Sequence, residues 1–209
     1  MKKLLVVVLL FSLIAATAVS AQSSTKYNGY EVVNVKVNGS ALNLDVPAII
    51  MDGRTLLPLR KVAEAMNSII IWDAAAKTAS VVKPQVNIVF TETKDDVNAL
   101  GNPIETIPYW TEYETFLSYV TVSNLPAGDY SLLCSIYRNN PETGLTDSVP
   151  IDSKPLQNIS VSGPNTPVPF SLSWDKAVIT DAGVYSFVVS IKDSSGKYQP
   201  VAVHTMEIR

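Results

Sequence analysis

The stretch DVPAIIMDGRTLLPLRKVAEA, residues 45–65, changes its hydrophobic period part-way along, and that change decides the local fold. Val46 to Met51 is an extended apolar run of the kind strands use. Asp52-Gly53 follows, two residues that accept positive φ and so close a tight hairpin, with Arg54 to Leu57 returning as the partner strand. Pro58 then opens a helix, where its missing N–H removes no hydrogen bond. Leu59, Val62, Ala63 and Met66 recur at spacings of three and four, one apolar stripe of that helix. Asn67 supplies a left-handed stop.

The same chemistry extends outward on both sides. Upstream, Glu31 to Val37 reads as a strand, Asn38-Gly39 as a hairpin turn and Ser40 to Leu44 as the return. Downstream, Ser68 to Trp72 (SIIIW) reads as a buried strand, Asp73 to Lys77 as a turn and Thr78 to Val82 as a last strand. Residues 30–83 are thus expected to form a small α+β unit, one helix on a curled antiparallel sheet. Gly53, Pro58 and Trp72 are read as structural: turn, helix start and strand core. Arg54 and Arg60 have two readings, a grip on an anionic ligand or a structural role. The structural one is preferred, since Arg60 and Glu64 lie four apart on the helix and can pair, and surface charges are usually solvated or ion-paired.

These residues carry a resemblance. The run V-x-V-N-G-x-x-L, the 45–65 stretch, then I-x-W-D and T-x-x-V resemble the copper amine oxidase N-terminal-like domain, or stalk domain, over residues 33–83. The family usually has Gly where this chain has Asn67; both accept positive φ. The resemblance implies a secreted or surface protein of a Gram-positive spore-forming bacterium, with a domain that spaces, pairs or presents another. The family name comes from a domain at the edge of an oxidase, not from its catalytic part. Copper chemistry needs several imidazole ligands. His204 is the one histidine of the chain, so neither a copper site nor any other cofactor is expected.

Residues 1–21 read as an export signal. Lys2 and Lys3 precede the apolar run Leu4 to Ala16, too short for a comfortable membrane span, and Val19-Ser20-Ala21 presents a cleavage site before Gln22. The mature chain would then hold 209 − 21 = 188 residues, with 22–29 as an N-terminal tail, in a secreted or wall-associated location. Membrane attachment would come only through this segment if uncleaved. Cys134 is the only cysteine, so no internal disulfide can form, and its strand context reads as a small core residue.

Charge is unevenly spread. Residues 22–83 carry seven basic and five acidic side chains, net +2, and residues 84–209 carry seven and fourteen, net −7. The acidic half disfavours nucleic acid and anionic polymers as partners. Lys83-Pro84-Gln85 reads as the boundary, and residues 86–209 follow as strands separated by Pro, Gly, Asn and Asp: an immunoglobulin-like or fibronectin-like β-sandwich. Asp181-Ala-Gly-Val-Tyr-Ser-Phe187 resembles the start of strand F in such domains, with Tyr185 as the corner tyrosine and Phe187 in place of the second cysteine. The chain as a whole is expected to be mainly β.

Chemistry is sparse. The aromatic stretch from Tyr109 through Trp110 and Tyr113 to Tyr119, with Glu112 and Glu114, could stack on sugar rings, although aromatics at such density usually serve packing. Asp95, Asp96 and Asp193 form no D-x-D-x-D-G calcium loop and read as solvated turn acids. There is no nucleophile elbow, H-E-x-x-H, P-loop or G-x-G-x-x-G, and no catalytic residue is assigned. The expectation is a non-catalytic adaptor or binding protein whose partner is a surface or wall component or another extracellular protein. Two alternatives stand beside it: a carbohydrate binder using Tyr109–Tyr119, and a structural or fibre subunit assembling through sheet edges.

Overall fold

The computed structural model describes residues 25–92, 106–107, 115–140, 146–175, 179 and 181–209. The expected leader, and Tyr109, Trp110 and Tyr113, lie outside the described residues. In chain order the first part holds β1 (Lys26–Tyr27), β2 (Tyr30–Val33), β3 (Lys36–Val37), β4 (Ser40–Ala41), β5 (Ala48–Met51), β6 (Arg54–Leu56), α1 (Leu59–Ala65), β7 (Ile69–Asp73) and β8 (Thr78–Val82). The rest is all strand: β9 (Gln85–Glu92), β10 (Thr106–Ile107), β11 (Thr115–Ser123), β12 (Gly128–Arg138), β13 (Asp152–Val161), β14 (Val168–Asp175), β15 (Gly183–Lys192) and β16 (Tyr198–Ile208). The protein is mainly β with one helix among the described residues, as its alternating strands and turn residues demand. That helix is not long and apolar enough to cross a membrane.

Two compact units emerge. Among the described residues, one comprises 25–35 with Asn43–Pro58, the other Lys36–Leu42 with those from Leu59 onward. The first holds the antiparallel sheet β1-β2-β5-β6. Its hairpins turn where the side chains allow it: Asn28 and Gly29 at φ 51° and 86°, Asp52 and Gly53 at 50° and 72°. The segment 22–29 therefore is not all tail, because β1 pairs with β2 through Asn28-Gly29. The strand expected over 31–37 also breaks, at Asn34-Val35, into two strands that join different sheets.

In the second unit two sheets enclose a core, β9-β11-β14 on one side and β10-β16-β15-β12-β13 on the other. Apart from β10, which runs parallel to β16, neighbouring strands are antiparallel. Strictly alternating burial along β11 sends Phe116, Val120 and Val122 inward. Leu132, Cys134 and Ile136 of β12, and Tyr185, Phe187, Val189 and Ile191 of β15, meet them. Phe187 lies at the centre, edge-on to Phe90 at 5.2 Å and to Trp174 at 5.4 Å. These edge-to-face pairs provide the apolar packing that a disulfide would otherwise staple. The indole N–H of buried Trp174 donates to Ser118 Oγ at 2.8 Å, so the buried donor is satisfied. Three strands facing a sheet in the order β16-β15-β12-β13 fit the expected immunoglobulin-like or fibronectin-like sandwich.

The helix and the β7–β8 hairpin are grouped with the sandwich. Ile69 is 2% exposed and belongs to the same core cluster as Phe90, Phe116 and Phe187, and Ile71 and Val82 pack against that cluster. The division between the compact units therefore falls at Pro58/Leu59, not at the sequence boundary 83–86.

Candidate functional site

The hairpin after α1 is the part of the described surface that the sequence motif shapes most directly. Asn67 takes φ 53° and ends the helix, Asn67 N donates to Glu64 O and Ser68 N donates to Ala63 O, so the chain reverses with its last carbonyls satisfied. β7 and β8 then pair in register from Ile69↔Val82 to Asp73↔Thr78. The turn between them is held by Asp73, whose Oδ1 accepts from the backbone N–H of Ala75 and Ala76 at 2.9 Å.

Alternation gives the hairpin two faces. Ile69, Ile71 and Val82 point one way, into the sandwich core. Ile70 and Trp72, with their cross-strand partners Val81 and Ala79, point the other way. Trp72 is 52% exposed and Val81 49%, and α1 leaves Leu59 and Met66 exposed as well. The expectation of a wholly buried strand over 68–72 is corrected by this. Burial on one face needs alternate residues only, and a two-stranded ribbon leaves its other face to solvent. The result is an exposed apolar face able to cover a complementary apolar surface, with no group on it for bond chemistry.

The two motif arginines part company. Arg54 lies on exposed β6, next to the Asp52-Gly53 turn, and with Met51, Asp52 and Leu56 lines an open cleft of about 370 Å³. Arg60 does not pair with Glu64 as expected. Glu64 Oε2 instead accepts from Lys61 Nζ at 3.0 Å, three residues away, and Arg60 Nη1 donates to Asp193 Oδ2, 133 residues away. Asp193 therefore is not a solvated turn acid: its side chain is only 2% exposed. Burial pushes its carboxyl upward. Hydrogen bonds from Ser195 and Lys197 and the charge of Arg60 outweigh that, so its pKa lies below the ordinary aspartate value. Sequence reasoning missed this role, because spacing along the chain carries no signal for a contact so distant.

Tyr185 sits where β15 begins. Its ring is buried and its hydroxyl donates to the Asp181 carbonyl at 2.7 Å, the geometry of a corner tyrosine. Arg138 Nη1 reaches Asp181 Oδ2 at 2.8 Å on the same corner. Both serve the scaffold. Gly53 and Pro58 do so too, the first by its φ of 72° and the second by immediately preceding α1.

The donor set does not fit copper. His204 is exposed with its ring 5.4 Å from Phe90. Cys134 is buried among apolar neighbours, which push its thiol up to about 12 and keep it protonated. Among the described residues no three of His, Cys, Asp and Glu gather into a metal-binding group.

Comparison with known proteins adds the following. No curated protein matches the sequence. Among solved structures, the chain is similar to the PmoD soluble domain from Methylocystis sp. ATCC 49242 (Rockwell), at 13% identity and a TM-score of 0.36, covering 68% of this chain and 97% of that one. It is also similar to a β-glucosidase from Listeria innocua in complex with isofagomine, at 8% identity and a TM-score of 0.35, over 63% of this chain but only 17% of the glucosidase. Residues 36–124, from β3 to the residue after β11, match the family model of the copper amine oxidase N-terminal domain.

Proposed function

We propose that this protein is a non-catalytic adaptor or binding protein, secreted or held at the surface of a Gram-positive bacterium, and that it acts by presenting the hairpin face around Trp72 to another extracellular protein. One observation carries the reading: Trp72 and Val81, with half-buried Ile70 beside them, form an exposed apolar face on a hairpin whose opposite face is committed to the sandwich core. A surface so anchored is preorganised, and aromatic residues at the centre of such faces commonly carry most of the binding energy. The match to the copper amine oxidase N-terminal domain over residues 36–124 supports a presenting role in place of catalysis. The carbohydrate reading rests on Tyr109, Trp110 and Tyr113, outside the described residues.

The test compares the wild type with Trp72→Ser as baits for the surface proteins of the source organism, alongside its purified wall polysaccharide. The reading predicts a protein retained by the wild type and lost with Trp72→Ser. Retention of polysaccharide by both baits, with no protein dependent on Trp72, would overturn it.

A further inference from the structure

We infer that Arg60 and Asp193 form a latch that fixes the motif-bearing helix against the sandwich, making Arg60 a positioning residue for the surface that helix and hairpin present. The inference stands on the contact itself and does not need the proposed partner.

The two oxygens of Asp193 have different tasks. Oδ1 builds the turn between β15 and β16: it accepts from Ser195 N at 2.8 Å, Ser195 Oγ at 2.6 Å and Lys197 N at 3.1 Å. Backbone bonds from Asp193 N to Lys197 O and from Gly196 N to Asp193 O close the same turn, with Gly196 at φ 81°. The turn is therefore complete without Arg60. Oδ2 is left over, on a nearly buried side chain, and its partner is Arg60 Nη1, which also approaches Ser195 Oγ at 3.5 Å. The preformed turn thus offers a fixed, charged acceptor to Arg60, and the bond between them is charge-assisted.

The helix and the hairpin that follows it thus have two attachments of different kinds. The apolar seat made by Ile69, Ile71 and Val82 is non-directional and tolerates small rotations. The guanidinium–carboxylate contact is directional, and it lies on the helix while the apolar seat lies on the hairpin. Two points of attachment on successive elements fix an orientation where one would not.

The experiment is amide hydrogen exchange on the full chain as wild type, Arg60→Gln and Arg60→Lys, read separately at Ala63–Ser68 and at β11 and β15. Arg60→Gln should speed exchange over Ala63–Ser68 by about tenfold, the effect of losing one charge-assisted hydrogen bond. It should leave β11 and β15 unchanged, and Arg60→Lys should fall between. Unchanged exchange over Ala63–Ser68 in Arg60→Gln would overturn the latch. So would an equal acceleration in every strand, which would make Arg60 a general stabiliser.

Discussion

At the residue scale, Tyr185 shows how a short motif can specify a three-dimensional contact. Asp181, Gly183, Tyr185 and Phe187 are close in sequence, and the bond from the Tyr185 hydroxyl to the Asp181 carbonyl spans four residues, so local spacing makes the corner legible. Phe187 was legible by substitution, an apolar ring where a cysteine would stand, and it is fully buried between Phe90 and Trp174. Removing the Tyr185 hydroxyl leaves its acceptor without that donor. Tyr185→Phe should therefore cost about 1–3 kcal/mol in chemical denaturation. Tyr198→Phe should cost far less, since Tyr198 is half-buried beside the Asp193–Lys197 turn and offers its ring to Lys192 at 5.9 Å. Equal midpoints for the two variants would remove the corner from the account.

At the element scale, strands and hairpins were legible because two signals agreed: period-two burial, and Asn-Gly or Asp-Gly at the reversals. β8 spans Thr78–Val82, the range the sequence reads as the last strand of the first unit. The same Asn-Gly signal at residues 28–29 makes β1, though it lies in a segment that reads as tail from its short flanks. Edges were not legible, because which strand lies outermost depends on pairing between distant segments. The structure puts β13 at one edge of the larger sheet and guards it. Lys154 stands opposite the inward-facing Cys134, its ammonium 5.1 Å from the centre of the Trp174 ring and 3.5 Å from Asp152. Pro155 lacks an N–H, and a bulge sets Gln157 and Asn158 against Ser131. An inward charge, a proline and a bulge each resist an added strand. Lys154→Val should accordingly shift self-association, followed by sedimentation velocity, to lower protein concentration. An unchanged concentration dependence would show that the lysine guards nothing.

At the scale of the whole molecule, the sequence divides by pattern and the structure divides by packing, and the two disagree over residues 59–83. Charge and period change at Lys83-Pro84-Gln85, yet Ile69 lies in the core that Phe90, Phe116 and Phe187 build. Pattern reports which face of an element is apolar; it does not report which neighbour covers that face. For the same reason the candidate surface was only half visible beforehand. Trp72 reads as apolar in a strand, and its exposure follows from Ile69 and Ile71 taking the buried face. The account's central claim is that the β7–β8 hairpin and the sandwich share one core. The lone cysteine allows a direct test, because the Cys134 thiol, fully buried and pushed up to about 12, can react only when the sandwich opens. The measurement is the rate of Cys134 labelling by a thiol reagent in the native full chain, for wild type and Ile69→Ala. A buried Ile→Ala change in a shared core costs about 2–5 kcal/mol, so the account predicts labelling faster by at least about thirtyfold. An unchanged rate would mean that the sandwich opens without regard to Ile69, and that the shared core does not exist.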